Sequence, residues 1–593
     1  MSRRARLDRP ADPSWSRDAA QPDGPPPAAA ARRPAARRRL GPAAAAGLLL
    51  LSACGRPARP AASPPYLDIT LPGNPTDLNS MTTQDEISYD VLNQVMEGLT
   101  RLNAAGVPQP AIAQSWTVSP DGRTYTFHLR AADWSDGTPV TAQDFVYAWQ
   151  QALDPRNGSQ ESSMLAYIQG ANALLNLQLP DPAKDAAGYR AAVAQIAPLE
   201  SQLGLSAPNA DTLVVTLAAP TPFWLPMTAL PVYFPAPEAD VARWGMSAYA
   251  QDPQHLLSDG PFVLSAWSPN SSIEMQRNPD YWNASHVALA GIHAEIVPSD
   301  STVANLYQAG QIDAVLPTIG SPELTEFEHQ PGFVSVPQSA VEYVQFGVKT
   351  PGLNQRLVRL AFSEAVDRSG LASQVAGGGA QPAYALTPPV IDYMPGKLFT
   401  SLVGHVLPLQ AAPSQARADL AGGLRAAGLS KLPALTLLCP SDAASENEAA
   451  ALQAMWKSTL GIQVAIDSPD NSTYVADVES GDFQLALIGW NADYNDPTTF
   501  LDLFQGGSPD NFGGWSDAAF NSDLKAASAT SGAPRGSDLA AAEKELLAQL
   551  PVIPLWWPAR NYIVRPGVSG VIISPTGPDY YLGAAHLSAT AAG

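Results

Sequence analysis

Gln114-Ser115-Trp116-Thr117-Val118-Ser119-Pro120-Asp121-Gly122-Arg123-Thr124-Tyr125-Thr126-Phe127-His128-Leu129-Arg130, followed by Trp134-Ser135-Asp136-Gly137-Thr138-Pro139-Val140-Thr141-Ala142-Gln143-Asp144-Phe145-Val146, is the stretch on which the reading of this chain turns. Pro120-Asp121-Gly122 is turn chemistry. Thr124 to Arg130 alternates polar and apolar side chains, which predicts a strand buried on one face. His128 falls on the polar face and is read as solvent-facing. Asp136-Gly137-Thr138-Pro139 is a second turn. Thr141-Ala142-Gln143-Asp144 has the form of a capping box with Asp in place of Glu. Phe145, Trp149, Ala152 and Leu153 then recur at helical spacing. The motif is dense, but it lacks a positioned nucleophile and base. Trp134, Phe145 and Trp149 are therefore expected in a core.

Toward the C-terminus the same alternation of strand and helix continues, and no repeat of fixed period interrupts it, so the fold class is mixed α/β. Leu435 to Cys439 is an apolar run that reads as a buried strand, with Cys439 as a small hydrophobe rather than a nucleophile. Glu446 to Leu460 reads as a helix closed by Gly461. Ile462, Val464 and Ile466 alternate as a strand. Phe483 to Ile488 predicts another strand, followed by a polar and aromatic loop, Gly489-Trp490-Asn491-Ala492-Asp493-Tyr494-Asn495-Asp496-Pro497. In open α/β sheets ligands gather beyond the carboxyl ends of strands, where this loop falls.

The N-terminus has a different character. Arg32, Arg33, Arg37, Arg38 and Arg39 form a basic region, Ala43 to Leu51 a short apolar run, and Leu51-Ser52-Ala53-Cys54 a cut site with small residues. That order is an export signal, too short to span a bilayer. The cysteine directly after it resembles the lipobox of a bacterial lipoprotein, which implies acyl chains on Cys54. Two or more such chains anchor stably, at about 0.8 kcal/mol per buried CH₂. Pro57, Pro60, Pro64 and Pro65 make residues 54–65 an extended tether, and residues 1–53 are read as a disordered N-terminus and signal peptide. Of the 593 residues, 45% are hydrophobic and 15% charged, a globular composition. Net charge is −21; the first 53 residues hold ten Arg and four Asp, so the remainder, with 24 basic and 51 acidic residues, carries −27. Such a field repels nucleic acid and anionic lipid.

The quoted motif resembles the hallmark segment of the oligopeptide- and dipeptide-binding proteins of ABC importers, solute-binding family 5. Arg277-Asn278-Pro279-Asp280-Tyr281-Trp282, Gly310-Gln311-Ile312-Asp313 and Gly489-Trp490 through Asp496-Pro497-Thr498 agree with that family in type and order. The likeness implies a two-lobed, hinged periplasmic-binding-protein-like fold of type II with an extra inserted α/β domain. Lobe I is expected at 66–104, 223–335 and 556–593, the inserted domain at 105–222 and lobe II at 336–555.

The likeness also implies a function: a lipid-anchored, outward-facing monomer that captures short peptides and delivers them to ABC permease subunits, with neither cofactor nor metal. In the family the aspartate of the Trp-x-Ala-Asp-Tyr loop takes the peptide's ammonium. Here Asp493 matches it, with Trp490, Asn491 and Tyr494 as further ligand contacts; the bland alternative for Asp493 is a turn or helix-capping carboxylate. Asp496 is read as the turn residue. Two departures stand out. Leu487 occupies a position that is basic in the family's best-known member, and Glu446 falls near another. The usual capture of a peptide carboxylate is thereby in doubt, which leaves open a non-peptide solute such as an oligosaccharide, a metal chelate or an opine-like compound, or a role as peptide-signal receptor. A hydrolase is disfavoured by seven histidines in all, with no His-Glu-x-x-His run and no Gly-x-Ser-x-Gly elbow.

Cys54→Ala is expected to leave the folded body intact and to shed it into the medium. Fractionation of cells expressing each form reads this; a variant as membrane-bound as the parent removes the anchor.

Overall fold

The computed structural model describes residues 65–316, 326–492 and 494–588. Cys54 and Asp493 lie outside them. The hallmark segment forms the centre of a four-stranded antiparallel sheet. Thr124–Leu129 pairs with Ala113–Val118 on one side and Thr212–Thr216 on the other, and Leu205–Asn209 completes the sheet. Tyr125, Phe127 and Leu129 point inward and His128 outward, as alternation requires. Gly122 and Gly137 hold the two turns at φ of 70° and 84°, a region in which a side chain is strained.

Helix Ala142–Leu153 covers this sheet. Its first turn is tied by Asp144 Oδ2, which accepts from both the backbone N–H and the hydroxyl of Thr141 at 2.7 and 3.0 Å. The helix buries Phe145 and Trp149 completely. Trp149 packs edge-on against Trp224 and Tyr233, with centroids 6.4 and 5.2 Å away. Its indole N–H donates to Tyr233 O at 3.0 Å, so the buried polar atom is satisfied. Trp134 is 1% exposed. The motif is thus a packing unit.

A second four-stranded sheet, in the order Tyr66–Leu71, Gly291–Ile296, Ser272–Arg277 and Phe262–Ser268, shares one continuous core with the first. A six-stranded sheet builds the other lobe. Its order is Gln381–Pro382, Val552–Trp557, Ala340–Phe346, Leu485–Asn491, Leu435–Leu438 and Val464–Asp467. Apolar side chains cover both of its faces, forming two separate cores. Near-continuous apolar strands such as Leu-Ala-Leu-Ile follow from that two-sided burial.

The lobes are joined where strands leave one sheet and enter the next. Phe333–Pro337 pairs with Ala559–Val564 in a three-stranded sheet on the first lobe's side. Across Gln338-Ser339 and Pro558 the same two chain segments become Ala340–Phe346 and Val552–Trp557, paired again in the six-stranded sheet. Gln338 N donates to Pro558 O at 2.9 Å at the crossing. The hinge is two adjacent strands that change sheets together.

Two fully or nearly buried arginines brace the second lobe with no carboxylate partner among the described residues. Arg368 is 0% exposed and donates to the carbonyls of Pro554, Ser363 and Pro408 and to the Ser363 hydroxyl. Arg359 does the same for Leu353, Gln549 and Leu550. Arg368→Met is expected to strand those acceptors and to lower stability by about 2–3 kcal/mol, read as a shifted denaturant midpoint with binding retained in the residual folded fraction.

Candidate functional site

The site is built on one strand that outruns its neighbour. Leu485–Asn491 pairs antiparallel with Ala340–Phe346 along its whole length, from Phe346↔Leu485 to Ala340↔Asn491. On its other edge Leu435–Leu438 pairs with it only at Leu437↔Leu485 and Leu438↔Ala486. The chain then turns away at Cys439 and Pro440 into helix Ala443–Leu460, capped by Asp442. The expectation that the strand ends at Ile488 is corrected here: Gly489, Trp490 and Asn491 remain strand because the partner Ala340–Glu342 continues beside them.

The ladder's phase tells which backbone groups are left over. Ala492 N donates to Ser339 O at 2.7 Å. In an antiparallel pair, residues alternate between bonding the partner and facing away. Trp490 therefore faces Ala340–Phe346, while Gly489 and Asn491 turn their N–H and C=O groups to the vacated edge. Leu487 shares that direction, and its carbonyl takes the Tyr474 hydroxyl at 2.7 Å. Gly489 and Asn491 are exposed. The result is a short open strand edge beside the end of a parallel strand.

The side chains sort by the same alternation. Leu487 is 2% exposed in one core and Ile488 lies in the other, so no charge is offered at position 487. Trp490 is half-buried against the core that holds Ile488, and its buried indole N–H has no partner among the described residues. Asn491 lines a cavity of about 430 Å³ at the hinge, with Ser339, Ala492, Glu86 and Arg560. Tyr494 is 9% exposed; its ring stacks on Phe223 at 4.0 Å and meets Tyr167 edge-on. It joins the loop to the first lobe.

Asp496 and Asn495 hold the rest of the loop. Arg535 donates twice to Asp496, Nη1 to Oδ2 at 2.7 Å and Nη2 to Oδ1 at 2.8 Å. Thr498 adds its N–H and hydroxyl to Oδ1. Asn495 Oδ1 accepts from Asp392 N at 2.8 Å. Asp496 is the structural residue of the loop, and its partner Arg535 was not visible in the sequence because 39 residues separate them.

Glu342 was also missed. It lies in register with Gly489 and is the one charged residue of strand Ala340–Phe346, where a lone carboxylate is itself a signal. Burial, then Glu448 and Asp442, push it up to about 8. Burial pushes Glu448 to about 7, against the pull of a hydrogen bond from Trp556. Cys439, fully buried, is pushed to about 11 by burial and then by Glu446, Asp442 and Asp467, so its thiol stays protonated. Glu446 accepts from the Ser468 hydroxyl at 2.9 Å. Among the described residues no cluster of His, Cys, Asp and Glu is arranged to hold a metal ion, and no helix is long and apolar enough to cross a membrane.

Two lobes, a two-strand hinge and an open strand edge beside it define a class of binding protein. The chain belongs to the bacterial extracellular solute-binding proteins, family 5, whose sequence model matches residues 107–512. It is 32% identical over 537 residues to the oligopeptide-binding protein OppA of Bacillus subtilis, covering 87% of this chain and 91% of that one. It is 31% identical over 505 residues to the probable deoxycholate-binding periplasmic protein YgiS of Escherichia coli, covering 84% and 89%. Among solved structures, Listeria monocytogenes OppA bound to peptide matches with a TM-score of 0.65 and 26% identity over 89% of this chain and 100% of that one. These are non-enzymatic solute-binding proteins.

Arg535→Met is expected to leave Asp496 buried without its partner, a loss of about 3–5 kcal/mol. The double substitution with Asp496→Leu should recover much of it. Denaturant unfolding of the three variants reads both effects.

Proposed function

We propose that this protein is the peptide-capturing component of an ABC importer, held at the outer face of the membrane through Cys54 and passing its ligand to the permease subunits. The observation that carries the reading is the open edge at Gly489 and Asn491. A free peptide is a chain of amide donors and acceptors, and an added strand satisfies both partners without reading side chains. Lobe I at 66–104, 223–335 and 556–593, the inserted domain at 105–222 and lobe II at 336–555 are the proposed division. The two strand passages at residues 338–339 and 558 support a hinge between the lobes. Closure about it would bury the peptide against Trp490.

Asp493 completes the proposal as partner of the peptide's ammonium. It follows the open edge by two residues, between Ala492 and Tyr494, and a desolvated ammonium needs a carboxylate. The likeness to a deoxycholate-binding protein favours one second reading, an amphiphilic solute without an amide ladder.

One titration series separates the two. Asp493→Ala is expected to weaken peptide binding about thirty-fold to a few thousand-fold, the loss of one member of a buried charge pair. N-acetylation of the peptide should cost the parent a similar factor, and the two losses should not add, since both delete one contact. Unchanged affinity in either single change, or full additivity, removes Asp493 from the ammonium site. Tight deoxycholate binding with no peptide binding removes the peptide reading altogether.

A further inference from the structure

The inner end of the open edge is acidic, and among the described residues no cation pairs with it. Glu342 stands in register with Gly489, and a side chain at 489 would run into the Glu342 carboxylate. Glycine there lets that carboxylate lie directly against the backbone of the open edge. Among the described residues no hydrogen bond or ion pair reaches Glu342. Beside it stands Glu448, on helix Ala443–Leu460, buried at 5% exposure. Its Oε1 accepts from Trp556 Nε1 at 2.6 Å, and its Oε2 accepts from none of the described residues. Trp556 in turn is the cross-strand neighbour of Glu342.

The other titratable groups around this corner are also anionic or neutral. Asp442 and Glu446 lie at the start of the same helix. The Tyr474 hydroxyl is spent on Leu487 O, and Cys439 keeps its proton. Among the described residues, the charges that raise Glu342 and Glu448 are carboxylates. The helix amino end contributes about half a positive charge, too little to offset three carboxylates in its first turns and Glu342 beside them. A buried carboxylate with no counter-charge holds a proton or receives a cation.

The position of the corner says which cation. A strand added at Gly489–Asn491 prolongs the line of Leu435–Leu438, and its side chains alternate between the two faces of the sheet. Glu342, Val344, Gly489 and Leu487 share the face covered by helix Ala443–Leu460. A ligand side chain on that face beside Gly489 would approach Glu342 and the amino half of the helix that carries Glu448. We infer that this corner is the subsite for a lysine or arginine side chain of the bound peptide, with Glu342 and Glu448 as its specificity-determining residues. The inference rests on the peptide reading above. It also accounts for Leu487 and Glu446: a corner that takes a cation does not take a chain-terminal carboxylate.

The test uses alanine pentapeptides with one lysine moved through each position, against glutamine at the same position, titrated calorimetrically at pH 7.5. At one position lysine should bind about ten- to a hundredfold tighter than glutamine, the worth of a hydrogen bond to a charged group. Glu342→Gln and Glu448→Gln should each remove most of that advantage and leave the glutamine peptide unchanged within about twofold. The parent protein supplies a second readout that needs no variant. A cation favours the ionised carboxylates, so the lysine peptide should release protons that the glutamine peptide does not, seen as different heats in phosphate and Tris. The advantage should shrink as pH falls, because burial raises both carboxyls and protonation removes the charge that a cation answers. Peptide binding without a lysine advantage at any position overturns this subsite and leaves the peptide reading intact. An advantage that survives both substitutions and releases no protons also overturns it. Failure of every peptide to bind overturns both.

Discussion

A backbone edge with no strand partner among the described residues is the constraint around which this molecule is organised. Strand Leu485–Asn491 extends beyond Leu438, the last residue of its parallel neighbour, and backbone amides left unpaired in a closing cleft are costly. An isolated edge of this kind invites pairing with any extended chain. Here it is only a few residues long and hemmed in on one side by helix Ala443–Leu460. It is flanked on the other by the hinge. The same geometry that limits wrong partners defines a slot for a short extended ligand.

The slot works only if the loop after it is rigid. Asp496 and Arg535 form a bidentate buried pair, Asn495 ties the loop to Asp392, and Tyr494 stacks on Phe223 from the first lobe. These contacts tie Tyr494, Asn495 and Asp496 to both lobes. The hinge imposes a complementary economy. Two adjacent strands change sheets at Gln338-Ser339 and Pro558, so the passage between the sheets is only one or two residues long on each strand.

Charge is distributed with a corresponding asymmetry. The second lobe buries Arg359 and Arg368 on backbone carbonyls instead of carboxylates. Among the described residues no cation pairs with Glu342 or Glu448 at the slot. In a chain whose body carries a large negative charge, the electrostatics of the cleft favour a cationic ligand both at long range and at contact.

The sequence by itself determined the local elements and the family. The alternation of Thr124–Arg130, the turns at Gly122 and Gly137, the Thr141–Asp144 cap and the burial of Trp134, Phe145 and Trp149 follow from rules acting over a few residues, and all are found in the structure. Helix Ala443–Leu460 was legible for the same reason, apart from its first three residues. What only the tertiary structure decided was pairing between distant segments. Gly489, Trp490 and Asn491 read as loop because their polarity is loop-like, yet they are strand because Ala340–Glu342, roughly 150 residues earlier, lie beside them. The open edge, the Arg535 anchor and the meeting of Glu342 with Glu448 depend on which strands become neighbours and where each one stops. No local pattern carries that information, because register is settled by the fit of whole faces against a shared core.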